Sequence, residues 1–524
     1  MMSRNTKLLM VVGALLMGML MLVKVLSSPT GGLAGLIKYA AVPLLLMCFV
    51  SPRAGLVLIS IMGLYGDFYK KLAVYYGTVS LDTVKEVLAV SVAMVGATMA
   101  GAALQMIYNR IKPDRTTVAI SVATVLLTGF LFASGGGEPL AGRIQYAVNS
   151  GLYLGLAAVI CLYFVDREDA LKLCRLHYWL GVPWVLWAIR QYYFGFTELE
   201  WTYAATELSP VLYSQMFLTP DLPRPYGFAS TSSAFGVITF LFCFGVWHAM
   251  RYSKARLGFL LCTLIYAMGL YVSMQRTLLL VPFLVAGTYF LFRTRAGTVF
   301  FYTSCISAAI AMVIFAEVAL SNLAAGNAAI EGSGGWTNRV IRIATFADRL
   351  KGWSRLTRAS SYSWFGTRWK SAAGGGKEFG DESYSHDSIN KILINFGVVG
   401  LGAVAAGIFM TARFAHRTVL GIRDAMDRDA AVFVLSLLAV AGTLMLMGGN
   451  NLHTVPINLV VVTYVGLAAG TIRRNAHTPI GDDEHAEEEI ERERAPSIYS
   501  NSHSMVLRPH SAARHPLRPF SRFS

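Results

Sequence analysis

Residues 383–404 read "SYSHDSINKILINFGVVGLGAV", a polar run that passes without a break into an apolar, glycine-rich segment. The apolar part continues beyond this stretch, and it is long enough to cross a bilayer as one helix. A spanning helix needs only Lys, Arg, Trp or Tyr to anchor its end at the membrane interface. The segment therefore predicts a membrane-embedded all-α fold, and the polar group of His386, Asp387 and Asn390 needs a separate explanation.

The composition of the whole chain agrees with a polytopic membrane protein. Of its 524 residues, 55% are hydrophobic and only 14% are charged, and the mean hydropathy is +0.52. Soluble proteins carry more charge and less apolar surface. The net charge of +15 could indicate nucleic-acid binding, but most basic residues stand in short links between apolar runs, where the positive-inside rule places them. We therefore expect no nucleic-acid partner.

Cysteine and acidic residues give little sign of a disulfide framework or a metal site. All six cysteines lie in or beside apolar segments, which argues against disulfides and a zinc cluster. The long polar loops lack a convincing set of His, Cys and carboxylate ligands, so the sequence predicts no cofactor and no metal. An acidic patch of Glu378, Asp381, Glu382 and Asp387 could hold a divalent ion, which leaves this point open.

Apolar runs of about 17 to 25 residues predict about 14 transmembrane helices, with a range of about 12 to 14. The first run has no clear A-x-A cleavage site after it, so we interpret it as a retained span. The candidate spans are residues 6–26, 33–50, 54–68, 84–108, 116–134, 148–165, 176–194, 231–250, 257–274, 277–292, 297–322, 391–410, 431–449 and 456–472.

The distribution of Lys and Arg sets the orientation. With the N-terminus inside, the strongly basic links of the chain are all cytoplasmic, as the positive-inside rule requires. Two long loops, residues 195–230 and 323–390, then face outward. Residues 1–472 form one transmembrane domain that includes both loops. Residues 473–524 are polar and low in complexity, and we expect a disordered cytoplasmic tail without chemistry; both termini are thus cytoplasmic.

The second outer loop interleaves basic and aromatic residues. Arg339, Arg342 and Arg349 follow three- and seven-residue spacing, which places them on one face of a helix that lies on the outer surface. The loop also carries four tryptophans. These side chains either dock the loop on the bilayer or stack on sugar rings, and composition does not separate the two interpretations. The tryptophans are Trp336, Trp353, Trp364 and Trp369.

Two arginines stand at outward ends of apolar segments. Arg276, in the short turn "VSMQRTLLLVP", is either an interfacial anchor or a guanidinium that binds phosphate through its planar fork. Arg224, in "LPRPYGFASTSSAFG", is either a solvated loop residue or a rigidly held phosphate ligand, because the flanking prolines stiffen its backbone and Gly227 permits a turn.

His386 is the best general-base candidate in the chain. The alternative is an interfacial or helix-capping histidine, and Ser385 or Asp387 can also cap the helix that follows. A neutral histidine near its unperturbed pKa can accept a proton, and the adjacent Asp387 could orient it or raise its basicity. Capping explains one polar residue of this group but not all of them.

The arrangement resembles the O-antigen ligase and O-antigen polymerase (Wzy-type) superfamily of bacterial polysaccharide enzymes. The resemblance covers residues 220–410 and lies in the order of three motifs: "RPYG" with Arg224, "MQRTLLL" with Arg276, and "SHDSINKILINFGVVGLG" with His386. The chain departs from the family's usual pattern at Gln275 and Asp387, and "WFGTRW" replaces the usual Gly-x-Gly. These departures concern which subfamily the chain resembles, and less its resemblance to the superfamily.

The resemblance implies a multi-pass glycosyltransferase of the bacterial inner membrane that joins a glycan carried on undecaprenyl pyrophosphate to an acceptor on the periplasmic face. It implies that His386, Arg276 and Arg224 are catalytic. We expect Arg339, Arg342, Arg349, Asp387 and Asn390 to bind substrate. The expected partners are the lipid-linked oligosaccharide, membrane lipid and other polysaccharide assembly proteins.

Several functions share this pattern. A polymerase of an exopolysaccharide or O-antigen is favoured, because no feature points to a lipid or protein acceptor; a ligase that uses such an acceptor is the alternative. A polysaccharide flippase or transporter is the rival from another class. It is disfavoured because no acidic residue sits securely at a membrane midplane and no inverted repeat is obvious.

Overall fold

The computed structural model describes residues 33–76, 81–110, 112–134, 151–164, 166–206, 216–219, 222–229, 236–252, 256–273, 276–308, 388–448 and 456–476, with a few isolated positions between them. This part of the chain is all-α, apart from one two-stranded ribbon. It belongs to one compact unit that ends at Ala476.

The N-terminal half of the described chain contributes helices α1 (Leu33–Val50), α2 (Pro52–Tyr75), α3 (Leu81–Tyr108), α4 (Arg115–Ser134), α5 (Gly155–Tyr163), α6 (Arg167–Phe194) and the short α7 (Glu198–Ala204). The ribbon follows, with β1 (Phe217–Thr219) antiparallel to β2 (Leu222–Pro223). The remaining helices are α8 (Val237–Arg251), α9 (Arg256–Val272), α10 (Arg276–Leu291), α11 (Ser388–Leu420), α12 (Ala425–Gly448) and α13 (Ile457–Ala476). Residues 295–308 are also helical.

Local sequence sets several helix starts. Ser51 caps α2, because its hydroxyl accepts the Ala54 amide at 3.4 Å, and Pro52 occupies the first helical position, where no amide proton is needed. Asp114 has the same role for α4, since its carboxylate accepts the Thr116 amide at 3.0 Å. The short polar links between apolar runs thus mark where the helices begin.

Helices α2, α6 and α9 run in the same direction. Arg53, at the start of α2, lies 4.0 Å from Asp169, at the start of α6. The Tyr178 hydroxyl donates to the Phe259 carbonyl at 2.9 Å, and further along both helices the rings of Tyr192 and Tyr271 lie 6.5 Å apart. The ends of these three helices, at Tyr75, Phe194 and Val272, therefore lie at one end of the bundle, which we call the loop end.

The opposite end, which we call the arginine end, contains most of the ion pairs among the described residues. Asp427 binds Arg167 at 3.2 Å and Arg474 at 2.9 Å. Asp429 binds Arg251 at 2.7 Å and Arg293 at 3.0 Å. These side chains come from links that the sequence assigns to one face of the membrane, and the structure places them at one end of the bundle.

An aromatic core holds the bundle together. Trp184, Tyr178, Phe244, Tyr266 and Tyr464, from four helices, are buried in one cluster. The Tyr178 ring stacks on Phe259 at 4.7 Å, and the Tyr266 hydroxyl donates to the Tyr178 carbonyl. Buried tyrosine hydroxyls that reach carbonyl oxygens fix how the helices pack, because an unpaired buried hydroxyl would be costly.

The helices coincide closely with the apolar runs of the sequence. Within the described residues, two helical stretches are long and apolar enough to cross a membrane: Val90–Tyr108 and Gly397–Leu420. Shorter apolar helices of 10–17 residues include Val237–Arg251, Leu257–Val272 and Leu279–Leu291. The first candidate span, residues 6–26, lies outside the described residues. The expected outer-surface helix with Arg339, Arg342 and Arg349 lies outside them as well. The expected tail, residues 473–524, also lies outside them, except for residues 473–476, which form the end of α13.

Helix α11 contains a sharp kink. Gly397 has φ 68° and ψ −168°, a conformation that is not helical and that side chains larger than a hydrogen rarely adopt. The stretch after it runs towards the arginine end, because His416 packs its ring against Phe292 at 4.3 Å, just beyond the end of α10. Gly397 therefore lies towards the loop end.

Candidate functional site at the loop end

Arg224 follows the ribbon directly and precedes a turn at the loop end. Its amide donates to the Met216 carbonyl at 2.7 Å, which continues the pairing of the two short strands. The Arg224 side chain is half-buried. Pro225 and the buried Tyr226 follow, so the residue is carried on a short segment that is fixed on both sides.

Gln191, near the end of α6, holds the backbone of this segment. Its side-chain oxygen accepts the amides of Tyr226 at 3.0 Å and Gly227 at 2.8 Å. Its side-chain nitrogen donates to the Gly227 carbonyl at 3.1 Å. Gly227 has φ 60°, a left-handed conformation that favours glycine. One buried amide thus satisfies three backbone groups of the turn that follows Arg224.

Glu200 supports Gln191 from α7. One carboxylate oxygen accepts the Trp187 indole N–H at 2.7 Å and the Gln191 amide. The other accepts the Thr197 amide at 2.6 Å and the Thr197 hydroxyl at 2.8 Å. The pair Thr197 and Glu200 is a capping box that starts α7. A fully buried carboxylate with four donors is well compensated.

Lys71 approaches the same turn from α2. Its side chain is fully buried, and its ammonium donates to the Ala229 carbonyl at 2.6 Å and to the Gly227 carbonyl at 3.4 Å. The ammonium also stands 4.3 Å from the centre of the Tyr226 ring, a distance at which a cation and an aromatic face attract each other. Lys71 and Gln191 therefore hold the segment 226–229 together.

Burial perturbs the ionisable groups of this cluster. It lowers the pKa of the Lys71 ammonium to about 7, although the carboxylates of Glu200 and Asp67 oppose the shift. It also raises the pKa of the Tyr226 hydroxyl, which Glu200 and Tyr203 raise further. Lys71 lies beyond the candidate span 54–68, beside the segment 226–229 at the loop end. A perturbed, buried lysine under a polar loop is typical of a functional region.

Arg276 and Asn390 lie at helix starts. Arg276 is the first residue of α10, and only three residues separate it from Val272, the last residue of α9. The start of α10 is therefore at the loop end, as is the Arg224 turn. Asn390 belongs to the first turn of α11, on the far side of the Gly397 kink from the arginine end.

The other expected site residues lie outside the described part of the chain. These are His386 and Asp387, directly before α11, and Arg339, Arg342 and Arg349 of the long second loop. Their predicted roles remain predictions. The helix that follows His386 begins at Ser388.

The described residues include arginines at the loop end but no cluster of metal ligands. They contain no group of three or more His, Cys, Asp or Glu side chains that could hold a metal ion. The acidic patch that contains Glu378 lies outside them, so the expectation of a metal-free site stays a prediction. The loop end carries Arg224 on a segment whose backbone is held by hydrogen bonds, and Arg276 as the first residue of α10. Guanidinium groups suit phosphate oxygens.

Sequence reasoning missed Lys71, Gln191 and Glu200. One local signal was available, because "TELE" at residues 197–200 matches the capping-box pattern and predicts a short helix inside the first outer loop. No comparable signal marks Lys71. Its contacts with the turn span 156 and 158 residues of sequence, and "YKKL" by itself is typical of a basic anchor at a span end.

The conformation of Gly227 gives a stability prediction. We expect Gly227→Ala to lower the free energy of unfolding by about 3 kcal/mol, because a methyl group adds backbone strain and steric conflict. A Cβ there would lie 2.9 Å from the Trp184 indole nitrogen. Thermal unfolding of the purified protein in detergent measures the effect.

Gly66→Ala is the matched control for this prediction. Gly66 lies in α2, where a Cβ would meet no atom within 4 Å, so we expect unchanged or slightly higher stability. Equal unfolding temperatures for wild type and Gly227→Ala would contradict the described turn.

Comparison with known proteins adds no further information: no family model, no curated protein and no solved structure matches this chain.

Proposed function

We propose that this chain is a multi-pass glycosyltransferase of the bacterial inner membrane, with about 14 spans. It joins oligosaccharide repeat units carried on undecaprenyl pyrophosphate, as the polymerase of an exopolysaccharide or O-antigen does. The observation that carries the proposal is the common position of Arg224 and the start of α10, which begins with Arg276, at the loop end. The motif resemblance supplies the reaction class.

Apolar side chains on the outside of the bundle support the membrane assignment. Phe283 of α10 is 77% exposed, Val125 of α4 is 71% exposed and Leu264 of α9 is 67% exposed. Exposed apolar residues of this size on several helices would be unfavourable in water. They are the surface expected where acyl chains surround a helix. The ion pairs of the arginine end fit the cytoplasmic side of such a protein.

The proposed reaction needs charge stabilisation and one proton acceptor. The acceptor hydroxyl attacks the anomeric carbon of the donor, and the bond between that carbon and the pyrophosphate oxygen breaks. Undecaprenyl pyrophosphate leaves with the electron pair, and its growing negative charge is stabilised by Arg224 and Arg276. The hydroxyl proton passes to His386 as general base. No redox step and no additional co-reactant are involved.

Reconstitution separates this proposal from transport. Liposomes that contain the purified protein and undecaprenyl-pyrophosphate-linked oligosaccharide are sampled for glycan length and for the membrane face on which the donor lies. A glycosyltransferase lengthens the glycan. Movement of intact donor between faces, with no new glycosidic bond, would establish the rival class. Transfer to an added lipid or protein acceptor, without growth of the glycan, would establish a ligase.

The orientation is tested by cysteine labelling. In a cysteine-free background, an impermeant reagent should label a cysteine at position 371 in intact cells but not one at position 502, because the loop 323–390 faces out and the tail faces in. Ser371 and Ser502 are the residues replaced. Labelling of position 502 but not of position 371 would show that the orientation is the opposite of the predicted one.

A further inference from the structure

We propose that Lys71 is a positioning residue for Arg224. It fixes the carbonyl groups of Gly227 and Ala229, and through them the turn that presents the Arg224 guanidinium to the donor pyrophosphate. This inference rests on the proposed function, and it assigns a role to a residue that belongs to none of the three motifs.

The geometry restricts the turn from two directions. Gln191 accepts the amides of Tyr226 and Gly227 and donates to the Gly227 carbonyl at 3.1 Å. Lys71 donates to the Ala229 carbonyl at 2.6 Å and, at 3.4 Å, to the Gly227 carbonyl as well. Arg224 lies two residues before Tyr226, with the rigid Pro225 between them. A displacement of the segment 226–229 therefore moves Arg224, and a shift of about 1 Å is enough to impair a positioned charge.

The buried lysine is costly as a packing residue, which favours a specific role. A methionine has similar length and would fill the site without desolvation of an ammonium. The ammonium is instead compensated by two carbonyl groups and the Tyr226 ring. The ammonium holds the loop in place through directional hydrogen bonds to its carbonyl oxygens, which an apolar side chain cannot form.

The surroundings of Lys71 make its contact with the turn sensitive to pH. The pKa lies at about 7, so the ammonium loses its proton as the pH rises through neutrality. The neutral amine has one N–H donor fewer and no attraction to the Tyr226 ring. The charged and titratable groups around it are Asp67 and Lys70 on α2, Glu200 and Tyr203 on α7, Tyr226 in the loop, and Arg190 on α6, which lies 4.0 Å from Glu200.

The first test measures the turn itself, without donor. Hydrogen exchange of the Tyr226 and Gly227 amides is followed by mass spectrometry in wild type, Lys71→Met and Lys70→Met. Lys70 is the matched control, because it is the next residue on α2 and pairs with Asp67 instead of the turn. We expect exchange of these amides to accelerate about tenfold in Lys71→Met, the effect of one lost charge-assisted hydrogen bond. Exchange of the same amides should stay unchanged in Lys70→Met, and the amides of α12 should exchange at the wild-type rate in both variants.

The second test measures transfer kinetics. In Lys71→Met the KM for the donor should rise about tenfold and kcat should fall as well, because the displaced Arg224 both binds the donor pyrophosphate and stabilises its charge as it leaves. In wild type the KM should rise from about pH 6 to about pH 9, and this dependence should be absent in Lys71→Met. The wild-type series needs no variant, so it applies even if Lys71→Met does not fold.

The outcomes separate the two proposals. Unchanged hydrogen exchange in an active Lys71→Met protein, or a KM equal to that of wild type, overturns the positioning role and leaves the proposed glycosyltransferase function intact. A wild-type KM that does not change with pH also counts against the role. If wild type forms no glycan, the proposed function is wrong, and the role of Lys71 falls with it.

Discussion

Replacement of His386 by alanine should slow glycan transfer by roughly 10² to 10⁴, the contribution of a general base. Donor binding should stay close to wild type, because the pyrophosphate is held by arginines and not by the imidazole. Polymer formation and donor affinity, measured separately on purified protein, check both parts.

His503→Ala is the matched control for this prediction. His503 belongs to the polar tail beyond Ala476, for which we expect no chemistry, so the variant should transfer glycan at the wild-type rate. Near-normal polymer from His386→Ala, at equal amounts of protein in the membrane, would remove His386 from the mechanism.

Replacement of Arg224 or Arg276 by lysine should weaken donor binding by about 10- to 100-fold. Lysine keeps the charge but lacks the planar fork that binds two phosphate oxygens at once. Arg224→Ala should also lower the rate of glycan transfer from bound donor, because the departing pyrophosphate loses a stabilising charge. Titration with labelled lipid donor gives the affinity, and single-turnover kinetics give the rate.

Arg295→Lys provides the control for the arginine variants. Arg295 is exposed and follows α10 at the arginine end, so the same chemical change there should leave donor affinity unaltered. Undiminished affinity in both Arg224→Lys and Arg276→Lys would remove the pyrophosphate assignment, and a loss confined to one of them would keep the assignment for that arginine only.

The helices could be predicted from the sequence because each depends on a local pattern. A long apolar run such as residues 84–108 satisfies its backbone groups internally, and the structure has α3 there, from Leu81 to Tyr108. The arginine end was also predictable in outline, since basic links alternate with apolar runs. The partners of these arginines could not be predicted, because Asp427 and Asp429 bind arginines from helices far apart in sequence.

The candidate site was predictable only in part, for the same reason. Arg224 has local signals, with prolines on both sides and a glycine three residues later. The residues that hold its turn have none that points to this role: Lys71, Gln191 and Glu200 come from three different helices and meet only when the bundle packs. The kink at Gly397 was hidden too, because glycine is common inside apolar helices.

One measurement tests the central claim most directly. Purified wild-type protein is incubated in detergent with synthetic undecaprenyl-pyrophosphate-linked oligosaccharide, and mass spectrometry follows the glycan and the free lipid together. A glycosyltransferase of the proposed kind lengthens the glycan by whole repeat units and releases undecaprenyl pyrophosphate in an amount equal to the glycosidic bonds formed. Donor that stays intact, with neither longer glycan nor free undecaprenyl pyrophosphate, would contradict the account.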